Sequence, residues 1–293
     1  MSKPAKGNSN MTTIMVALVL CLVCSVLVSA VAVGLKPQQV ENQQLDRNKN
    51  ILMAAGEVDG TANASAVEDK FADFETRIID LQTGEFMSNE DLTANGIEDA
   101  EEYETSLASK IDSLSRDLGD DDPASIGRVP KYAKGYVKEG ANDDAEAVVL
   151  PVYGYGLWGT IYGFLTIGQD MNTIEGISFY QHKETPGLGA LIDEPEWRAQ
   201  WNGIHAYDEN GEVATGVTKG GTSRENWVDG ISGATLTSRG VSNFIQFWLG
   251  DNGYKPFLDK MRGGKVTKPV DAQAKPIQNK TPVLNTTALG EEA

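Results

Sequence analysis

The chain has 293 residues, 40% of them apolar, and carries 42 Asp and Glu against 25 Lys and Arg, a formal charge of −17. That size allows one large or two small folded domains with a real core, and the acid surplus excludes nucleic acid as a partner, because phosphate backbones are bound by excess Lys and Arg. The two cysteines, Cys21 and Cys24, fall in one apolar run, so neither a disulfide framework nor a Cys-ligated zinc site is available.

The run that holds them, MTTIMVALVLCLVCSVLVSAVAVGL from Met11 to Leu35, contains no charge. It is long enough to cross a bilayer with some tilt. It is also longer than the apolar segment of a cleaved signal, for which Ala30-Val31-Ala32 would be the small-residue cleavage site, and it reads as an uncleaved anchor. Lys3 and Lys6 precede it, and the first charges after it are Lys36 and Glu41. The Lys and Arg bias is weak. The simplest topology leaves residues 1–10 in the cytoplasm, 11–35 in the membrane and everything later outside the cytoplasm. Cys21 and Cys24 inside the span read as apolar filling, since no base or helix terminus is at hand to make a thiolate.

All of the acid surplus falls on residues 36–262, since residues 1–35 and 263–293 each carry a small net positive charge. There, Val40 to Gly56 reads as a helix with Leu45, Ile51, Leu52 and Ala55 at helical spacing and a Gly stop, joined to the span by a short stalk. Ala66 to Ile79 and Glu98 to Leu118 read as further helical pieces. Asp117 to Ser125 (DLGDDDPAS) lacks calcium-hand spacing and reads as a solvated turn.

From Ala147 the pattern changes. AVVLPVYGYGLWGTIYGFLTIGQD is rich in aromatic and β-branched residues interrupted by Gly154, Gly156, Gly159 and Gly163, which fits a strand pair with close backbone approach. Ile177 and Phe179 alternate as in a strand. ETPGLG, Glu184 to Gly189, is a loop by composition, whose amides no regular structure would engage. His182 beside it reads as structural.

DGISGATLTS, Asp229 to Ser238, precedes Val241, Phe244, Ile245 and Trp248, which fall on one helical face. The stretch is the loop into a helix N-terminus, with Thr237 or Ser238 as the expected cap. Two uses of it remain open on physical grounds: a plain cap, or a phosphate site using exposed amides and the helix dipole. No Walker lysine follows, which excludes nucleotide triphosphate hydrolysis. Residues 263–293 are polar and Pro-containing, with little periodicity, and read as a disordered arm. The N-x-T triplets at Asn279 and Asn285 carry no weight without a eukaryotic secretory context.

SGATLTS with Asp229 ahead of it resembles the covalent flavinylation motif of the periplasmic FMN-binding domain family, and YGYGLWG and ETPGLG resemble that domain's other two signatures. QQLDRNKNILMAAG after a single span, and EPEWRAQWNG, resemble the C subunits of the Na+-translocating NADH:quinone oxidoreductases. The resemblance covers residues from about 11 to 262. It implies an α+β architecture: a single N-terminal transmembrane helix, a helical stalk and N-terminal part over 36–146, and a mixed α/β periplasmic FMN-binding core over 147–262. It implies FMN esterified through its phosphate to Thr235, placed there by a separate FAD-dependent flavin transferase that recognises Asp229. Leu157 and Trp158 would lie along the flavin ring, Glu184, Thr185, Gly187 and Leu188 would line its other side largely through main-chain hydrogen bonds, and Ser232, Gly233, Ala234, Leu236 and Thr237 would surround the phosphate. No catalytic side chain and no metal ligand are implied.

By the same resemblance the protein is one electron-transfer member of a multi-subunit respiratory complex of the bacterial inner membrane, on a path from NADH to a ubiquinone-type quinone coupled to Na+ movement. The flavoprotein subunit of the Rnf electron-transport complex has the same flavin motif in a shorter chain; residues 60–146 favour the NADH:quinone oxidoreductase family. A membrane-anchored, non-redox scaffold module is the alternative of a different class. It would use SGATLTS as a helix cap and ETPGLG as a turn.

Overall fold

In the computed structural model, residues 9–140, 145–219 and 224–263 are described; the 263–293 arm, apart from its first residue, lies outside them, as does most of the 1–10 segment. The chain divides into two compact units, the boundary falling between Gln44 and Leu45. The first contains most of helix α1, Ser9–Ala54, whose apolar portion has a mean hydropathy of 3.0 and exposes every side chain from Met11 to Leu35. A helix that is apolar all round and that no other described residue covers is suited to lipid. The helix runs without a break through Pro37 to Ala54. It stops where expected, at Gly56, whose φ of 70° suits glycine.

In the second unit, α2 (Ala64–Phe71) is followed directly by strand β1 (Phe74–Asp80) and the short β2 (Glu85–Phe86). The expected helix over Ala66 to Ile79 therefore ends halfway. FETRIID carries β-branched residues whose ladder with a later strand outweighs the helical spacing of the preceding residues. Then come α3 (Asn89–Ala94) with a Ser88 capping box, a single turn α4 (Thr105–Ala108), β3 (Ser115–Asp117) and β4 (Arg128–Pro130). The helix expected over Glu98 to Leu118 is reduced to that turn and a 3-10 turn. This segment folds over the sheet through Ile97, Tyr103 and Ala108, which bury with Ile78 of β1.

The centre of the unit is a six-stranded antiparallel sheet in the order β2-β1-β5-β6-β7-β8, with β5 Tyr132–Glu139, β6 Ala145–Tyr155, β7 Thr160–Gly168 and β8 Ile174–Gln181. The expected glycine-interrupted strand pair is β6 and β7, in register from Ala147↔Gly168 to Tyr155↔Thr160. On one face Ile51, Leu52 and Ala54, the last turns of α1, bury against Phe74, Tyr136, Val149 and Phe164. Arg47 pairs there with Glu104, and Lys134 donates to the Glu101 carbonyl at 2.7 Å. Burial pulls the Lys134 ammonium down to about 8, the Glu104 carboxylate opposing that shift.

On the other face lies α6, Thr235–Leu249, with Val241, Phe244, Ile245 and Trp248 fully buried as the helical spacing predicts. It comes unusually near the strand. A Cβ on Gly154 of β6 would stand 2.3 Å from the Cβ of Phe244, and one on Gly240 of α6 would stand 2.5 Å from the Tyr155 carbonyl oxygen. These two positions thus lower the helix N-terminus onto the end of β6. Two short parallel strands, β9 (Gly216–Val217) and β10 (Trp227–Val228), flank α6, and α7 (Lys255–Gly263) closes the unit. Gly154→Ala is expected to destabilise the domain by about 2 kcal/mol or more, since the backbone of β6 and the root of Phe244 must part; urea unfolding of the variant checks this.

Candidate functional site

The end of β6, the loop after β8 and the start of α6 converge at one end of the sheet. β6 and β7 are joined by residues 156–159, and Glu184 to Gly189 form a turn in which the Leu188 and Ala190 amides both donate to the Thr185 carbonyl at 3.1 Å. That corrects one expectation. The Leu188 amide and the Thr185 carbonyl are engaged within the turn, because a Pro-Gly pair folds the chain back on itself. Gly187 sits at a φ of 73° with nothing within 4 Å of a built Cβ, so its need for glycine is conformational. Thr185, Gly187 and Leu188 are exposed.

Glu184 is placed differently from a ring-lining group. It is 4% exposed. Its carboxylate accepts from the Leu157 amide at 2.9 Å, the Trp158 amide at 3.1 Å and the Thr237 hydroxyl at 2.5 Å. His182 is structural: its Nδ1 accepts from the Glu184 amide at 3.1 Å, leaving Nε2 to donate to Asp193 at 2.6 Å.

α6 begins at Thr235 with Ala234 as its N-cap, and no side chain caps its first amides. The expected cap residues are spent elsewhere. Thr237 is fully buried against Glu184, and the Ser238 hydroxyl accepts from the Ile231 amide at 3.0 Å, bracing the incoming loop. Thr235, by contrast, is exposed, as are Ser232, Gly233 and Leu236, while Ala234 is buried. Of the hydroxyls in the first turn and a half of the helix, Thr235 is the one presented to solvent, beside uncapped N–H groups at the positive end of the helix dipole.

The loop feeding this helix is fixed from behind by residues to which sequence reasoning assigns no role. The Trp197 indole donates to the Asp229 carbonyl at 2.9 Å, and the Asp229 amide donates to the Gln200 side chain at 3.0 Å. Both come from EPEWRAQWNG, folded as α5 (Pro195–Arg198) and a 3-10 turn. The Asp229 carboxylate stays exposed. A Cβ on Gly233 would lie 3.5 Å from the Leu188 side chain, so the turn after β8 reaches the loop before α6. Of the elements that converge here, Trp158, Leu188, Leu236 and Tyr155 are 61%, 46%, 46% and 49% exposed. Among the described residues, no group of three or more His, Cys, Asp or Glu side chains is placed to hold a metal.

Residues 156–250 match the FMN-binding domain family. The chain is 41% identical to the C subunit of the Na(+)-translocating NADH-quinone reductase of Yersinia pestis over 89% of its own length and 97% of that protein's, and 41% identical to its counterpart in Pseudomonas aeruginosa over 89% and 99%. The chain belongs to the C-subunit family of the Na(+)-translocating NADH-quinone reductases. Its fold agrees. The crystal structure of Shewanella oneidensis NqrC superposes with a TM-score of 0.65 at 31% identity, covering 76% of this chain and 100% of that one. As a member of the family the protein is an FMN-binding flavoprotein and one part of a multi-subunit oxidoreductase complex, and its single apolar N-terminal helix fits a single-pass anchor in such a complex.

Proposed function

We propose that this protein holds FMN as a phosphoester on Thr235 and passes electrons within a membrane complex that oxidises NADH, reduces a ubiquinone-type quinone and moves Na+. The observation that carries the attachment is the exposed Thr235 hydroxyl at an uncapped helix N-terminus, with its neighbour Thr237 turned inward. The residues present fit the group. Ser232, Gly233 and the first amides of α6 would receive the phosphate. The apolar faces of Leu157, Trp158, Leu188 and Leu236 offer area for a flat ring, which the non-redox scaffold alternative leaves without a purpose. Bound FMN supplies the redox chemistry; the protein supplies binding, orientation and electrostatics.

Attachment forms the bond from Thr235 Oγ1 to the FMN phosphorus as the pyrophosphate of FAD breaks, AMP leaves and the hydroxyl proton is lost. This requires the flavin transferase, for which the exposed Asp229 on its clamped backbone is a fixed recognition mark. Thr235 is a linkage point and takes no part in electron transfer. The span contains no Asp, Glu, Lys or Arg between Met11 and Leu35, so it offers Na+ no path of its own.

Thr235→Ala is expected to abolish covalent flavin while the domain stays folded, and Thr235→Ser to keep part of it. Peptide mass spectrometry of chains made with the transferase decides, and a full FMN adduct on the Ala variant would sink the assignment. The flavin domain stands in the periplasm and the N-terminus in the cytoplasm, since the transferase must meet the motif outside the cytoplasm. A reporter enzyme that works only in the periplasm should be active when fused after Gly264; activity there of a reporter confined to the cytoplasm contradicts this topology.

A further inference from the structure

A phosphoester fixes a cofactor at one end only. Between Thr235 and the flavin ring lies a chain of rotatable bonds, so the place of the ring has to be set by the loops beside α6. Those loops are distant in sequence from the helix, and one buried carboxylate hydrogen-bonds to both. Glu184 Oε1 accepts from the Leu157 and Trp158 amides, and Oε2 accepts from Thr237, two residues beyond the attachment point. The surroundings leave room for this group and for little else: a Cβ on Gly156 would stand 2.6 Å from Oε1, and one on Gly189 would stand 2.6 Å from Oε2 and from the Thr237 hydroxyl. The main chain of Glu184 is held in turn by His182, which Asp193 orients.

We propose that Glu184 is a positioning residue that ties the Leu157–Trp158 loop to the helix carrying Thr235, so that attachment and ring placement depend on different residues. The proposal rests on the flavin reading above. Glu184 itself is buried behind both loops and acts through Trp158 and Thr237.

The test uses the full chain made with the transferase, as wild type, Glu184→Ala, Glu184→Gln and Thr237→Val. Peptide mass spectrometry reads the attachment, circular dichroism the fold, and flavin emission, visible spectrum and midpoint potential the ring. All four are expected to carry the adduct on Thr235. In Glu184→Ala the emission rises several-fold and the potential moves toward that of free FMN. Glu184→Gln, which keeps the length, an oxygen for the two amides and an amide group for Thr237, restores wild-type behaviour, and Thr237→Val falls between. A folded, flavinylated Glu184→Ala with wild-type spectrum and potential overturns the proposal, as does a Gln variant as impaired as Ala. If Glu184→Ala does not fold, Thr237→Val decides, and wild-type emission from it overturns the proposal. Amide exchange at Leu157 and Trp158, read on chains made without the transferase, tests the tie with no cofactor: it should quicken in Glu184→Ala or Thr237→Val, and unchanged exchange overturns it. A wild-type chain lacking an adduct would overturn only the Thr235 assignment.

Discussion

A carboxylate taken out of water must be given donors, and Glu184 draws its three from two other parts of the chain. That requirement organises the site. The YGYGLWG segment supplies the Leu157 and Trp158 amides, ETPGLG supplies the carboxylate, and SGATLTS supplies the Thr237 hydroxyl. Hydrogen bonds to a charged group contribute about 1.5–3 kcal/mol each, and an unpaired buried carboxylate costs more than any of them returns. The three motifs are therefore tied through one carboxylate, and its loss leaves the Leu157 and Trp158 amides and the Thr237 hydroxyl without their acceptor.

The sheet makes this meeting possible. Its two faces are occupied by different elements, the end of α1 on one and α6 on the other. Because Gly154 and Gly240 have no side chains to hold strand and helix apart, the start of α6 lies against the end of β6, beside the loop that carries Trp158. From there the exposed Thr235, the uncapped amides and the apolar Trp158, Leu188 and Leu236 face outward, while Thr237, Ser238 and Ala234 face inward. Less than one helical turn thus separates the residue that would bear a cofactor from the residue that holds the site together. On the proposed reading Asp229, its backbone clamped by Trp197 and Gln200, would present the attachment loop in a fixed form.

Some of this is plain in the sequence. The span, the stop at Gly56, strands β6 to β8 and the buried face of α6 follow from unbroken periodicity or composition, and the three motifs are legible as motifs. The helices expected over Ala66 to Ile79 and Glu98 to Leu118 fail because strand ladders and burial against β1 decide there, and neither is local. The role of Glu184 is hidden for a related reason. A glutamate at the edge of a Pro-Gly loop looks solvent-facing, and only Gly156, in another strand's loop, and Gly189, at the far end of its own, reveal the space reserved for its side chain. Thr237 looks like a cap because a threonine near a helix start usually is one; here the helix starts two residues earlier, at Thr235, and the Thr237 hydroxyl donates to Glu184 instead. Trp197 and Gln200 leave a signal in EPEWRAQWNG, but nothing in that segment points to Asp229 as what they hold.

Glu184 and Thr237 act as one unit across the site. A double-mutant cycle on the full chain, with Glu184→Ala, Thr237→Val and the pair compared by urea unfolding, measures that coupling directly. An interaction energy of about 1.5–3 kcal/mol is expected for a buried hydrogen bond to a charged acceptor. Additivity to within about 0.5 kcal/mol, the behaviour of independent sites, would contradict it.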